Sequence, residues 1–176
     1  MMSNSSKTVI HTALLAEARP LIDTLKLIQN QQHTFIYENE THVLIVSGMG
    51  KTQTIEKLTY IFENFNITKA INIGIAGCRD ESIAIGTLLC TSHALLKIPQ
   101  ATLTTVDKPL SDITALTTQL VDMEAQYFHY VAQKHLPTSE IYVFKVVSDY
   151  LDTSIPKKSF VIELVQNSLK QLKEFL

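Results

Sequence analysis

Apolar runs and amphipathic stretches alternate along most of the chain. Runs rich in β-branched and aromatic residues predict strands at residues 8–15, 34–37, 42–46, 69–77, 87–90, 102–106 and 141–147. Apolar residues at helical spacing predict helices through residues 21–28, 52–65, 121–132 and 164–176. The strands at 34–37 and 42–46 flank a short polar stretch and predict a hairpin. This alternation of strands and helices indicates the α/β class.

Two acidic residues follow predicted strands. Asp149 comes directly after the strand at 141–147 and Ser148, and Glu17 lies between the first strand and the first helix. In open α/β sheets, ligands bind outside the carboxyl ends of the strands, so both carboxylates are candidates for one cleft. The alternative is that each acid only favours the N-terminal end of a helix dipole, which contributes about 0.3–1 kcal/mol.

A third acid, Glu124, is placed by the helix predicted over residues 121–132. At helical spacing it falls on the same side as Phe128 and Val131, so its carboxylate is expected to face an interior or a cleft. An acid that favours the helix N-terminus is again the alternative.

The glycines of the chain are concentrated in one region. All five lie between Gly48 and Gly86, mostly in loops that follow predicted strands. Such loops allow backbone to approach a ligand closely, and Met49 lies between two of the glycines. The sequence around Lys51 lacks the first glycine of a phosphate-binding loop, because Ile45 occupies that position.

Composition excludes several classes of partner. The chain has 176 residues, 45% of them hydrophobic, and a net charge of −2, which predicts one domain over residues 8–176 after a flexible N-terminus at residues 1–7. Without a basic cluster, no binding of nucleic acid or an anionic membrane is expected. The polar start and the absence of a long apolar run predict a cytoplasmic protein. Its two cysteines lack metal-ligand spacing, so neither a metal nor a cofactor is expected.

Four blocks, in this order, resemble the nucleoside phosphorylase superfamily, and within it the methylthioadenosine/S-adenosylhomocysteine nucleosidases and related hydrolases. They are ALLAE at residues 13–17, SGMGK at 47–51, NIGIAG at 72–77, and VDMEA at 121–125 together with VVSD at 146–149. The resemblance covers nearly the whole chain. It implies a three-layer α/β/α sandwich with a central mixed, twisted sheet, and a small-molecule nucleoside as the ligand. It also implies a homodimer.

The resemblance assigns roles to the matching residues. It implies that Asp149 is the general acid toward N7 of the purine and that Glu17 orients or activates the attacking water. It implies that Glu124 holds the ribose hydroxyls and that Met123 packs against the sugar. The remaining implied substrate contacts are Met49, Ser148, Ile75 and Gly74.

The chain also departs from the family pattern. Where phosphorolytic members have an arginine and a hydroxyl residue for phosphate, this chain has Asn72 and Ile75, which favours water as the nucleophile. The region of residues 87–120 is shortened, although it normally supplies contacts to the base and to the second subunit. The segment at 104–109 is similar to a motif of nucleosidases that act on hopanoid precursors.

We therefore predict a purine nucleosidase acting on a methylthioadenosine-, adenosylhomocysteine- or deoxyadenosine-like nucleoside. The alternatives are a nucleoside-binding relative with little or no activity and, third, a phosphorylase.

Lys145 and His11 lie inside predicted strands, and Cys78 directly follows one. Lys145 is expected at the solvent side of the sheet with its stem packed, or else paired with an acid. His11 is expected to be a hydrogen-bonded histidine of the first strand. Cys78 is expected to be a small buried residue.

Overall fold

A computed structural model describes residues 5–110 and 112–176. Within these residues the chain forms four α-helices, namely α1 (Leu15–Leu25), α2 (Lys51–Asn64), α3 (Ala125–Ala132) and α4 (Lys158–Leu172). The strands are β1 (Lys7–Thr12), β2 (Ile28–Gln29), β3 (Ile36–Glu38), β4 (His42–Val46), β5 (Ile67–Cys78), β6 (Leu88–Cys90), β7 (Leu103–Thr105), β8 (Leu120–Asp122) and β9 (Ile141–Asp149). Short 3₁₀ turns occupy Ile113–Ala115 and Thr138–Glu140.

The strands form one mixed sheet, as the sequence predicts. Its centre is parallel, in the order β4, β1, β5 and β9. Antiparallel strands flank this centre, since β3 pairs with β4, β6 with β9, and β8 with the end of β5. Because β1, β4, β5 and β9 run in one direction, the loops that follow them meet at one edge of the sheet.

Successive residues of the central strands point to opposite sides of the sheet, and each side is covered by two helices. Ile10, Ile71, Ile73 and Phe144 pack with the apolar faces of α1 and α4. Their neighbours along the strands, including Val9, Ala70 and Val143, pack with α2 and α3. The result is the predicted three-layer sandwich, in which two apolar cores are separated by the sheet.

One predicted helix is wrong at its start. Residues 121–132 were expected to be helical throughout, but Leu120–Asp122 forms β8, which pairs with β5 and β7, and α3 begins only at Ala125. The change occurs because the Asp122 carboxylate accepts the N–H of Ala125 at 2.8 Å, which satisfies a free donor of the first helical turn. Glu124 is therefore the residue that precedes the helix, and its side chain is not part of the helical stripe of Phe128.

The other elements differ from prediction at their ends. The C-terminal helix begins at Lys158 and ends at Leu172, six residues earlier at its start than the predicted 164–176, and its apolar face packs on the sheet and α1. Residues 1–4 of the predicted flexible N-terminus lie outside the described residues, while Lys7 already belongs to β1 and pairs with Glu38 at 2.8 Å. Among the described residues, no helix combines the length and the apolar character that a membrane span needs.

Candidate active site

A cavity of about 190 Å³ opens at the edge of the sheet where the parallel strands end. It joins a smaller cavity of about 130 Å³, because Gly77, Asp122 and Asp149 line both. Of the eight residues predicted to form the site, seven line the larger cavity: Glu17, Met49, Ile75, Met123, Glu124, Ser148 and Asp149. The structure thus brings together residues from α1, β5, β9, the loop that follows β4 and the link between β8 and α3, whereas Gly74 lies behind the lining.

Glu17 enters the site from the first turn of α1. One carboxylate oxygen accepts the N–H groups of Ala13 (3.0 Å) and Leu14 (2.9 Å), and the other accepts the N–H of Ile75 at 3.0 Å. Burial raises the pKa of Glu17, and the three amides and the nearby Lys145 ammonium oppose that rise. A carboxylate fixed in this way, with a raised pKa, is suited to accept a proton.

A buried ion pair that the sequence did not reveal lies beside Glu17. Lys145 is 1% exposed, and its Nζ lies 2.8 Å from Oδ2 of Asp122, so the predicted solvent-side position of Lys145 is wrong and the paired alternative is confirmed. Burial alone would lower the pKa of Lys145, but Asp122, Glu124 and Glu17 together raise it. The ammonium therefore stays charged under the site.

Both carboxylate oxygens of Asp122 accept hydrogen bonds, and one of them also contacts Lys145. Its Oδ1 accepts the hydroxyl of Thr105 at 2.5 Å, and its Oδ2 accepts the Ala125 N–H as well as the ammonium. Burial alone would raise the pKa of Asp122, but Lys145 and the hydrogen bonds hold it below its ordinary value. An apolar strand interrupted by one lysine was the only sequence signal for this pair.

Gly74 gives room to both charged groups. A Cβ atom at this position would lie 3.0 Å from Oε1 of Glu17 and 3.3 Å from Nζ of Lys145. The glycine therefore acts by letting the carboxylate and the ammonium approach the β5 backbone, and not by lining the cavity itself.

Glu124 reaches the cavity from the residue before α3. Its Oε1 accepts the N–H of Gly50 at 2.9 Å, and the residue is 8% exposed. Burial raises the pKa of Glu124 to about 7, helped by Asp122 and Glu17 and opposed by Lys145 and the Gly50 amide. Gly50 has φ +88°, a conformation that glycine adopts without strain, and so its N–H can turn toward Glu124.

Asp149 lines the same cavity from the end of β9. Its Oδ1 accepts the N–H of Asp152 at 3.0 Å and its Oδ2 accepts the hydroxyl of Ser148 at 2.5 Å. A Cβ at Gly77 would approach Oδ1 to 3.2 Å, so this glycine leaves the carboxylate accessible from β5. The two hydrogen bonds fix the carboxylate plane.

The apolar part of the cavity is open at its rim. Met123 is partly buried beside Glu124, but Met49 is 57% exposed and Ile155 is 87% exposed. Cys78 is buried, as predicted, and Cys90 is buried too. Within residues 5–110 and 112–176, no three His, Cys, Asp or Glu side chains are grouped as metal ligands.

Comparison with known proteins identifies the family of this chain. The family model described as the phosphorylase superfamily matches residues 7–111 of the chain. The chain belongs to the phosphorylase superfamily. This membership confirms the resemblance found in the sequence.

Curated relatives match over a shorter segment. A 5′-methylthioadenosine/S-adenosylhomocysteine nucleosidase of Staphylococcus epidermidis is 38% identical over 60 residues, which are 34% of this chain and 26% of that protein. The enzyme of the same name from Staphylococcus haemolyticus gives the same values. The match thus spans about a quarter of the length of these relatives.

Several solved structures share the fold over nearly the full chain. A futalosine hydrolase mutant of Helicobacter pylori has a TM-score of 0.79 at 14% identity, over 97% of this chain and 98% of that one. A Streptococcus pyogenes S-adenosylhomocysteine nucleosidase in complex with 5-methylthiotubericidin has a TM-score of 0.78 at 20% identity, over 99% and 98%. A Campylobacter jejuni 5′-methylthioadenosine/S-adenosylhomocysteine nucleosidase also has a TM-score of 0.78, at 18% identity over 96% and 97%. These likenesses establish the fold of this chain.

Proposed function

We propose that this protein is a purine nucleosidase that hydrolyses the N-glycosidic bond of an adenine-type nucleoside with water and without phosphate. The observation that carries the proposal is the charge of the cavity. Among the described residues, its lining includes five acidic residues, Glu17, Asp122, Glu124, Asp149 and Asp152, and no lysine or arginine. The nearby Lys145 ammonium is buried and paired with Asp122, so a phosphate dianion would meet an acidic lining without a free cation, whereas water and a neutral nucleoside carry no net charge.

The positions of the acids suit the charges that develop in this reaction. Breaking an N-glycosidic bond builds positive charge on the sugar and negative charge on the base, so carboxylates at the sugar and a proton donor at the base stabilise opposite ends. Glu124 and Glu17 are close to the Lys145 ammonium, whereas Asp149 also lines the smaller adjoining cavity, whose lining includes neither glutamate. We assign the sugar to the two glutamates and the purine to Asp149.

Each acid then has a defined task. Glu124 uses one oxygen for Gly50, and its other oxygen accepts the ribose hydroxyls, with Met123 against the sugar. Glu17 orients the attacking water and takes its proton, which its raised pKa favours. Asp149, once protonated, donates to N7 of the departing base, and Ser148 keeps its carboxyl group oriented.

The names of the relatives supply our candidate substrates. 5′-Methylthioadenosine, S-adenosylhomocysteine and a deoxyadenosine-like nucleoside are our first candidates, and futalosine joins them because a futalosine hydrolase shares the fold.

A second function is favoured by one observation. Met49 and Ile155 leave the rim exposed, which suits a protein that binds a nucleoside without excluding water from it. In the catalytic proposal, a second copy of the chain covers this rim in a homodimer.

The test is chromatographic detection of free base after incubation of the purified protein with adenine and hypoxanthine nucleosides, with and without phosphate. Adenine release that is independent of phosphate is the expected result. Release that requires phosphate would identify a phosphorylase. If no base is released although the same nucleosides raise the melting temperature, the protein is a nucleoside-binding relative and the catalytic proposal is wrong.

A further inference from the structure

A chain of buried hydrogen bonds runs beneath the candidate site. Asn72 Nδ2 lies 2.7 Å from Nδ1 of His11, and Nε2 of His11 lies 2.9 Å from Oγ of Ser47. The Ser47 hydroxyl in turn donates to the carbonyl of Gly48 at 2.6 Å. His11, Ser47 and Asn72 are each at most 1% exposed, so these bonds have no competition from bulk water.

The direction of these bonds fixes the state of His11. With the Asn72 amide nitrogen facing the ring, Nδ1 of His11 accepts from Asn72, and the buried Oδ1 of Asn72 has no hydrogen-bond partner among the described residues. The single hydrogen of the Ser47 hydroxyl is given to Gly48, so Nε2 of His11 carries a hydrogen and donates it to Ser47. His11 is therefore a neutral imidazole, and burial together with the nearby Lys145 lowers its pKa to about 3, while Asp122 opposes. It remains neutral at any pH at which the site would operate.

His11 contacts both elements that hold Glu124. Ser47, to which it donates, starts the loop that ends in Gly50, and the Gly50 N–H binds the Glu124 carboxylate. The His11 ring also lies 5.6 Å from the ring of Phe128, whose own N–H donates to the Glu124 carbonyl at 2.9 Å. One side chain thus supports the glycine loop on one side of Glu124 and the first turn of α3 on the other.

From these contacts we propose that His11 is a positioning residue for Glu124. Through its hydrogen bond to Ser47, His11 keeps the loop of residues 47–50 in the position from which the Gly50 N–H reaches the Glu124 carboxylate. The link to ribose binding rests on the proposed function, but the link between His11 and the Gly50–Glu124 bond does not.

The experiment compares two substitutions that each keep one half of the imidazole. His11→Gln places a donor near Nε2 and keeps the bond to Ser47, whereas His11→Asn keeps an acceptor near Nδ1 and loses that bond. The readout is a pH titration of the Gly50 amide resonance by NMR in the free protein, which reports ionisation of Glu124. The charged groups around Glu124, namely Lys145 from β9, Asp122 from β8 and Glu17 from α1, are the same in both variants.

We expect the parent protein and His11→Gln to titrate together. In His11→Asn the midpoint should rise by about one pH unit, because a hydrogen bond to a carboxylate favours its charged form. The KM for the nucleoside should rise roughly tenfold in the same variant, with a smaller change in kcat. If the titration and KM of a folded His11→Asn variant match those of the parent, the inference is wrong.

Two further controls keep the outcome decisive. If His11→Asn does not fold, Ser47→Ala breaks the chain at its next link and should give the same upward shift, and an unshifted titration there would also overturn the inference. A parent protein that releases no base but shows the Gly50 titration would refute the proposed function alone. The two proposals therefore fail separately.

Discussion

The two sides of the central sheet are built from the same strands but bury different chemistry. On the side of α1 and α4, alternate residues such as Ile10, Ile73 and Phe144 form an apolar core. On the side of α2 and α3, their immediate neighbours include His11 and Lys145, both at most 1% exposed. The alternation of a β-strand thus separates two kinds of burial by a single residue.

This difference indicates which side of the sheet holds buried residues that serve function and not stability. Burying an aliphatic or aromatic side chain contributes about 1.5–3 kcal/mol to folding. Burying a charge costs several kcal/mol, and even a well-paired buried ion pair such as Lys145–Asp122 is weak evidence for stability. The side of α2 and α3 also has an apolar core, and it is called the polar side here only because it buries His11 and Lys145 as well. We therefore expect the core under α1 and α4, the apolar side, to serve stability, and the buried polar groups of the polar side to serve activity.

The largest expected effect tests the activity half of this comparison. Asp149→Asn removes the proposed proton donor while keeping the size of the side chain, and it should lower turnover by about 10²–10⁴-fold. Its melting temperature should stay close to that of the parent, since Asp149 is only partly buried. The measurement is base release by chromatography alongside thermal unfolding. Near-normal turnover would remove Asp149 from the role of general acid.

A core substitution on the opposite side should show the reverse pattern. Phe144 is fully buried between the sheet and α4, so Phe144→Ala should lower the free energy of unfolding by about 3–5 kcal/mol. Turnover per folded molecule should be unchanged, because the side chain points away from Lys145 and the cavity. Urea unfolding gives the first quantity and base release the second.

The matched control for this core substitution is Phe144→Leu. Leucine keeps most of the side-chain volume, so Phe144→Leu should lower the free energy of unfolding less than Phe144→Ala does. The difference between the two variants measures the cost of the cavity that alanine leaves. If Phe144→Ala abolished turnover while the protein stayed folded, the division of labour between the two sides would not hold.

The sequence was sufficient for the fold because the fold depends on patterns. The apolar runs at β1, β4, β5 and β9 and the helical spacing in α2 and α4 identify the elements, and strand-end acids point to one edge of the sheet. Glu17 and Asp149 line one cavity, as expected from their positions after strands, and Glu124 lines it too, although the helical face from which it was predicted does not include it. Their roles in catalysis stay predictions.

The parts that the sequence did not show depend on pairs of distant residues. Asp122 lies in a three-residue strand whose pattern is too short to distinguish from a helix, and so residues 121–124 were predicted to be helical. Lys145 is typical of a solvent-side lysine until its partner is known, and that partner lies 23 positions away in sequence but 2.8 Å away in space. Likewise, the bond from Gly50 to Glu124 joins residues 74 positions apart.

The smallest expected effect concerns the cost of holding Glu124 on the polar side. Its pKa is raised to about 7 in the folded protein from an ordinary value of 4.5, so the folded state retains a proton that the unfolded chain has lost between those values. The contribution of Glu124 to stability is therefore fully present below about pH 4.5 and falls by about 2–4 kcal/mol as the pH rises through 7. Glu124→Gln should remove this part of the pH dependence.

The measurement is urea unfolding of parent and Glu124→Gln at pH values from 4.5 to 8, with Glu56→Gln on the exposed face of α2 as the control for loss of one negative charge. The Gln variant should gain stability over the parent progressively toward pH 8, although Glu17, whose pKa is also raised by burial, keeps a residual slope in both proteins. A constant difference across this range would contradict the raised pKa. If the difference in the free energy of unfolding between Glu124→Gln and the parent grows toward pH 8, the Glu124 carboxylate weakens the fold. If the same variant also loses nucleoside binding, the ligand requires this carboxylate.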